Sequence, residues 1–174
     1  RPLQLDKGDR LRPGLVVKCL KGSFDWIQMI VHLKSTSRFD STAQMRDESR
    51  ELRALQVTVL QRWADSVMNA GSEQDVVITG DWNDFPLRQR EGTLDAVING
   101  SSLVFLTKEL RSCSNPKWYV IDHVVTSTTA TKRYVSGSER TENVRAYLDK
   151  SEVDKVSDHC PVLVQFDIIQ PDND

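Results

Sequence analysis

The residues of this chain that are best equipped for chemistry stand where apolar runs end. In VVITGDWND, Val76 to Asp84, four apolar or β-branched residues lead into a glycine and then into Asp81, Asn83 and Asp84 around Trp82. Side chains alternate across an extended backbone, so Asp81 and Asn83 would share one face there and Trp82 the other. A carboxylate so placed can take a proton from water, and a neutral amide can donate to a phosphoryl oxygen. Trp82 then packs inward as an anchor. Taken alone the string is equally an ordinary turn, because Asp and Asn after glycine are common turn residues.

The three histidines follow the same rule: His32 lies in VHLKS, His123 in VIDHV and His159 in SDHCPV, each at a polar break in or beside an apolar run. Adjacent residues of a strand point to opposite faces, so Asp122 and His123 do not serve one site and Asp122 needs a partner from elsewhere. Ser157-Asp158-His159 precedes the last apolar run, in a loop free to turn its side chains. The favoured pairing is therefore His159 with Asp122. A carboxylate behind an imidazole fixes its tautomer and stabilises its charged form, which suits a histidine facing phosphate.

These residues need strands to carry them. Leu15 to Leu20 and Phe24 to Leu33 read as two strands joined by a turn at Lys21-Gly22-Ser23, the second apolar on both faces and so expected to be covered on both. Ser41 with Gln44 fits a capping box and Gly71 a helix stop. Between them Leu52, Leu55, Val59, Leu60, Trp63 and Val67 form an apolar stripe opposite Arg46, Glu48, Glu51 and Arg62. Asp75 to Thr79 is predicted as a strand, Gly80 to Arg90 as a loop, Thr93 to Ile98 as a short helix and Ser102 to Leu106 as a short strand. Trp118 to Ser127, Ala130 to Val135 and Pro161 to Ile168 complete the strands, and Ser136 to Lys155 is loop with a helical turn. Residues 169–174 read as a frayed tail. Many strands with one long helix predict a layered α/β sandwich, a single domain over 1–174.

Composition narrows the function classes. The net charge of -2 is far from the basic balance of a protein that holds nucleic acid by counterion release alone. Attraction to a phosphate polymer must then be local or supplied by a metal. No apolar run approaches the roughly 20 residues that span a bilayer, and the opening RPLQLDKGDR shows no hydrophobic leader. Cys19, Cys113 and Cys160 contain no CxxC pair, which argues against a thiolate zinc site. Their odd number leans toward a reducing compartment, while one disulfide plus one thiol fits the same count.

In order and rough spacing, HLKS, GDWND, IDH and SDHCPV resemble the endonuclease/exonuclease/phosphatase superfamily, whose members include deoxyribonuclease I. The resemblance runs from about residue 12 to residue 166. It implies a metal-dependent phosphoesterase of the deoxyribonuclease I-like α/β sandwich type, using Mg2+ or in its place Mn2+ or Ca2+, on nucleic acid or another phosphate ester. It further implies His32 assisting at the scissile phosphate, Asp81 and Asn83 activating water and steadying phosphoryl oxygens, Asp122 orienting His159, and His159 contacting phosphate. Asp158, together with Asp81, is implied as a metal ligand. His123 matches no role in the family and is read as a packing or hydrogen-bonding residue. Lys34 and Arg38, nearest the expected site, are read as phosphate contacts, and Arg46, Arg50 and Arg53 as a solvated helix face. Trp26, Trp63 and Trp118 are read as core.

One departure matters. The family's domain begins with a strand carrying an asparagine and a strand ending in Gln-Glu, whose glutamate is the principal metal ligand; here the HLKS strand arrives by residue 32. The chain thus resembles the second half of that domain. A sheet without its partner leaves an apolar face open, and a two-fold dimer through that face is the expected remedy. A phosphomonoesterase or sphingomyelinase-type esterase, or a non-catalytic binding remnant, are the other readings of the same residues.

Overall fold

A computed structural model describes residues 2–3, 11–71 and 73–172. β1 (Pro2–Leu3), β2 (Gly14–Lys21) and β3 (Phe24–His32) pair antiparallel in series. The helix α1 (Ala43–Asn69) then carries the chain back so that β4 (Val76–Asp81) pairs parallel with β3. The short α2 (Asp95–Ile98) leads to β5 (Leu103–Phe105) and β6 (Asp122–Ser127), and the six strands lie in the order β1-β2-β3-β4-β6-β5. β7 (Arg140–Thr141), α3 (Lys150–Val156) and β8 (Val162–Leu163) follow, with β7 and β8 pairing as a separate ribbon. The result is a mixed sheet in an α/β sandwich.

Each face of the sheet has its own core. On the helix side Met29, Val31 and Leu33 of β3 and its exit pack with Val76, Ile78 and Val125 against Val57, Leu60 and Ala64 of α1. Side chains of this kind contribute roughly 1.5–3 kcal/mol each on burial. Trp82 is fully buried here, its ring edge-on to Phe105 at 5.1 Å, so the anchor expected of it is present. On the opposite face Phe24, Val77 and Val124 pack with Ala130, Val162, Val164 and Phe166. Cover on that side is partial: Leu15, Val17 and Ile30 share the face by register and are 47%, 38% and 46% exposed. β3 is therefore covered on both faces over only part of its length.

Close strand contact explains one glycine. A side chain at Gly80 would place its Cβ 1.9 Å from the carbonyl oxygen of Val31, and its φ of +135° suits glycine alone. The strands β3 and β4 thus approach each other just before their tips, at His32 and Asp81.

Several sequence expectations shift. Thr42 rather than Ser41 caps α1, its hydroxyl accepting from the Met45 amide at 3.1 Å; both residues can cap and the backbone enters the helix one residue later. Gly71, with φ of +77°, stops the helix as expected. The buried face of α1 is Ser49, Arg53, Gln56, Val57, Leu60 and Ala64, whereas Leu55 is 62% exposed. Arg53 is therefore no part of a solvated face. Ala130 to Val135 is not a strand: Ala130–Arg133 forms a 3-10 turn, because the Ser127 hydroxyl caps it and Ala130 seals the second core. Only Val162–Leu163 of the last apolar run is paired as a strand. Trp118 is exposed, not core, while Trp26 and Trp63 are partly buried against the two cores. The tail is held through residue 172, since buried Arg133 donates to the Gln170 and Pro171 carbonyls at 2.9 and 3.0 Å and to the Asp172 carboxylate at 3.5 Å; residues 173–174 lie outside the described residues.

Candidate active site

Register alone brings three of the singled-out residues together. His32 is the Cα partner of Asp81 across β3–β4, and Asp81 is the partner of Asp122 across β4–β6. Directly paired residues share a face. His32, Asp81 and Asp122 therefore form a row across three adjacent strands, at the end of the partly covered face.

His159 joins the row from the loop after α3. Its Nδ1 lies 2.8 Å from the Asp122 carboxylate, the pairing expected from strand alternation. Burial pulls the His159 imidazole down, but attraction to Asp122, Asp81 and Asp158 outweighs it and holds the ring above its ordinary pKa. The Asp122 carboxyl is pushed up by burial; His159 opposes that shift and repulsion from Asp81 reinforces it. The electrostatics thus favour a charged imidazole with its Nδ1–H fixed on Asp122 and Nε2–H directed outward.

The other end of the row is looser. His32 Nε2 stands 3.6 Å from the Asp81 carboxylate, and its Nδ1 receives a hydrogen bond from Arg12. Arg12, His32 and Lys34 line a pocket of about 200 Å3 with Leu11, Ser35 and Gln56. Arg38 does not line it; its guanidinium lies over the exposed ring of Phe39. On the His159 side a second pocket, about 250 Å3, is lined by Ser112, Ser114, Trp118, Asp122, Asp158 and His159 among others. A cationic recess and an acidic, aromatic one therefore flank the carboxylates.

Asp81 and Asn83 do meet, but not on an extended backbone. Asn83 has a φ of +53°, and its amide group bonds Asp81 and the Leu33 carbonyl at 2.9 and 3.1 Å. Its backbone N–H donates to the other Asp81 oxygen at 2.7 Å. Asn83 thus orients the Asp81 carboxylate rather than pointing a free amide at solvent. The left-handed turn, to which Asn is suited, achieves what alternation was expected to do.

Behind the row lies a buried polar frame that sequence reasoning missed. Asp84, wholly buried, accepts from the amides of Phe85 and Thr93 at 2.9 Å each, from the Thr93 hydroxyl at 2.7 Å, and from Arg88. Arg53 on α1 donates to Thr93 at 2.8 Å and to the Lys34 carbonyl at 2.7 Å. Gln56, one turn on, accepts from the Lys34 amide at 2.8 Å. His123 receives the Thr107 hydroxyl at Nδ1 and donates from Nε2 to the Asp84 carbonyl, in line with a hydrogen-bonding role. The frame binds the HLKS and GDWND loops to the same helix. Its signal in the sequence was a pair of polar residues, Arg53 and Gln56, on the inner side of an otherwise apolar stripe.

Carboxylate oxygens of Asp81 and Asp122 and a ring nitrogen of His159 lie within 4.8 Å of one another. A hard cation that keeps several waters is well served by two carboxylates at an open rim. His159 is a poor third ligand, because metal-bound imidazole must be neutral and this one is biased toward its charged form. Asp158 stands outside the cluster: its side chain is 97% exposed and its carboxylate lies 4.0 Å from His159 Nε2. The donor set fits a hard divalent cation through Asp81 and Asp122. Cys113 and Cys160, with Cα atoms 6.1 Å apart, are joined in a disulfide, and Cys19 is free, so the cysteines divide as a pair and one thiol.

Solved structures share this architecture. A mannosyl-6-phosphatase from Bacteroides thetaiotaomicron superposes with a TM-score of 0.59 at 15% identity, over 95% of this chain and 64% of its own. An endonuclease/exonuclease/phosphatase family protein from the same organism gives 0.57 at 16% identity, over 94% and 60%. The cytolethal distending toxin of Haemophilus ducreyi gives 0.52 at 15%, over 96% and 57%. This chain thus spans less than two thirds of the length of each. No protein-family model and no curated protein matches the sequence. The fold is therefore deoxyribonuclease I-like, as in these three proteins. No helix among the described residues is long and apolar enough to cross a membrane.

Proposed function

We propose that this chain hydrolyses phosphate esters, in the manner of a nuclease-type phosphodiesterase, with Asp81 and Asp122 as the residues that would hold a divalent cation and with the exposed Asp158 left outside that pair. The observation that carries the reading is the row His32–Asp81–Asp122–His159, two carboxylates between two imidazoles on three paired strands and one loop. Asp81, its orientation held by Asn83, accepts the proton of the attacking water. His159, charged and fixed by Asp122, donates from Nε2 to an oxygen of the phosphate. His32 assists from the other side, and Arg12 with Lys34 attracts the anion into the cationic recess. When bound, Mg2+ neutralises phosphate charge and lowers the pKa of bound water. The recess beside Trp118 takes the group esterified to the phosphate.

The test is hydrolysis of supercoiled plasmid and of bis(p-nitrophenyl) phosphate with Mg2+. EDTA is expected to abolish it and Asp81→Ala to lower the rate about 10³-fold. Absence of hydrolysis by the unmodified chain on every ester tried would sink the reading. A phosphomonoesterase is the second reading, prompted by the likeness to a mannosyl-6-phosphatase; a hexose 6-phosphate turned over faster than the diesters decides for it. The exposed strip of Leu15, Val17 and Ile30 supports a two-fold dimer through that face. Sedimentation as a clean monomer at micromolar protein counts against the dimer.

A further inference from the structure

The Cys113–Cys160 bond stands directly behind His159, and its position in the chain carries a consequence for the site. The segment 157–160 emerges from the end of α3 and turns into β8. Its His159 and Cys160 side chains are tied by the Asp122–His159 hydrogen bond and by the disulfide one residue on, while its exit is held where the Glu142 amide donates to the Pro161 carbonyl at 2.9 Å. Both ties run to the same stretch of chain. Cys113 opens the loop that closes on itself through the Arg111–Tyr119 bridge and the Ser112 amide bonded to the Trp118 carbonyl at 2.9 Å. The loop is braced from outside: the Tyr119 ring stacks on Phe85 at 5.2 Å and carries the Arg111 guanidinium at 3.5 Å. It then leads straight into Asp122.

We propose that Cys113–Cys160 is a positioning pair for this site: it holds the His159 imidazole against Asp122, so the activity depends on the oxidation state of the bond. The inference rests on the phosphoesterase reading for its effect on rate, though not for its effect on the geometry. One tether from the loop at Cys113 and one from β6 at Asp122 fix both the distance and the direction of the ring, whereas the hydrogen bond alone leaves the side chains between α3 and Pro161 more freedom to turn. A misplacement near 1 Å at a reacting group costs on the order of 10²-fold in rate. Both sulfurs belong to partly exposed residues and so can be reached by a dithiol. Reduction proceeds by exchange: a thiolate of the dithiol attacks one sulfur and breaks the Cys113–Cys160 bond, and its second thiol then displaces the mixed disulfide. Two electrons and two protons pass to the protein, which ends as two thiols, and the reductant ends as a disulfide.

The experiment compares the oxidised chain, the chain reduced with excess dithiothreitol, and the Cys113→Ser and Cys113→Ala/Cys160→Ala variants. The readouts are kcat and KM on bis(p-nitrophenyl) phosphate, the downfield proton resonance of the His159 Nδ1–H, and near-ultraviolet circular dichroism as the measure of global packing. Reduction is expected to lower kcat about 30-fold with KM within threefold, and to broaden or remove the His159 resonance. The dichroism should be preserved and reoxidation should restore all three. Both variants should start low and ignore the reductant. A reduced chain that keeps its rate and its resonance overturns the proposal. So does one whose rate falls only together with the global dichroism, since the bond is then a staple of the whole fold. If the oxidised chain hydrolyses nothing, the phosphoesterase reading fails while the resonance still reports whether the tether holds the ring.

Discussion

The two histidine flanks of this site solve one positioning problem in different ways. His159 is 2.8 Å from its carboxylate and sits beside a covalent cross-link. His32 is 3.6 Å from Asp81, nearly half exposed, and its strand exit is held by two side chains of the helix behind it, Gln56 accepting from the Lys34 amide and Arg53 donating to the Lys34 carbonyl. The first flank is acidic, with Asp122 and Asp158; the second is cationic, with Arg12 and Lys34. The difference suggests a division of labour. On the proposed mechanism, the clamped ring is the one whose charge state matters, and the looser, water-accessible groups line the recess that would attract the anion.

The largest expected effect breaks that division directly. His159→Asn should lower kcat about 10³-fold and His32→Asn only about tenfold, each measured on a small diester. Asp122→Asn should fall near His159→Asn, and the double variant should be little worse than either, because residues in one hydrogen-bonded unit are not additive. Equal losses at His32 and His159, or additive losses at Asp122 and His159, would erase the distinction between the flanks.

Next comes the frame behind His32. Arg53→Met keeps the length of the side chain but leaves the buried Thr93 hydroxyl and Lys34 carbonyl without their donor. A cost of about 3 kcal/mol is expected, read as a fall of roughly 10 °C in Tm, with KM raised more than kcat is lowered. A variant as stable as the parent would mean that the HLKS loop is held by something other than this arginine.

A pH effect of similar size should appear away from both flanks. Burial pulls His123 from 6.5 down to about 4. Because the folded value lies below the unfolded one, the unfolded chain takes up a proton first as the medium is acidified. The stability that neutral His123 contributes is complete above about pH 7 and is lost as pH falls from 6.5 toward 4, by about 3 kcal/mol in all. His123→Gln should flatten denaturant midpoints over that window; an unchanged slope would remove His123 as its source. The smallest effect is expected at the acidic recess, where Trp118→Ala should raise KM about fivefold with kcat intact, consistent with about 1 kcal/mol of aromatic contact.

The particular residues explain how much could be read in advance. The GDWND, IDH and SDH motifs are local, and strand alternation was enough to send Asp122 toward His159 and Trp82 into the core. Asn83 was expected in extended backbone and adopts a left-handed turn, a choice both local options allowed. Arg53 looked like a surface residue because its neighbours Arg46 and Arg50 are; only the helix's rotation on the sheet shows that position 53 faces the Lys34 carbonyl. Ala130 to Val135 has strand composition, yet the Ser127 cap and the packing of Ala130 beneath β8 turn it into a 3-10 bend. Trp118 reads as core by type, but it lies at the outer end of a loop that closes before β6 begins.

What the sequence determined by itself is therefore what short-range physics controls: alternation along β3, β4 and β6, the extent and stop of α1, and the residue types delivered to the strand tips. The tertiary structure decided which tips stand side by side, that Cys113 faces Cys160, and which polar side chains of α1 point inward. Those are distances between residues far apart in the chain. They depend on register and on the angle at which a helix meets a sheet, and a shift of one residue would redirect every side chain involved.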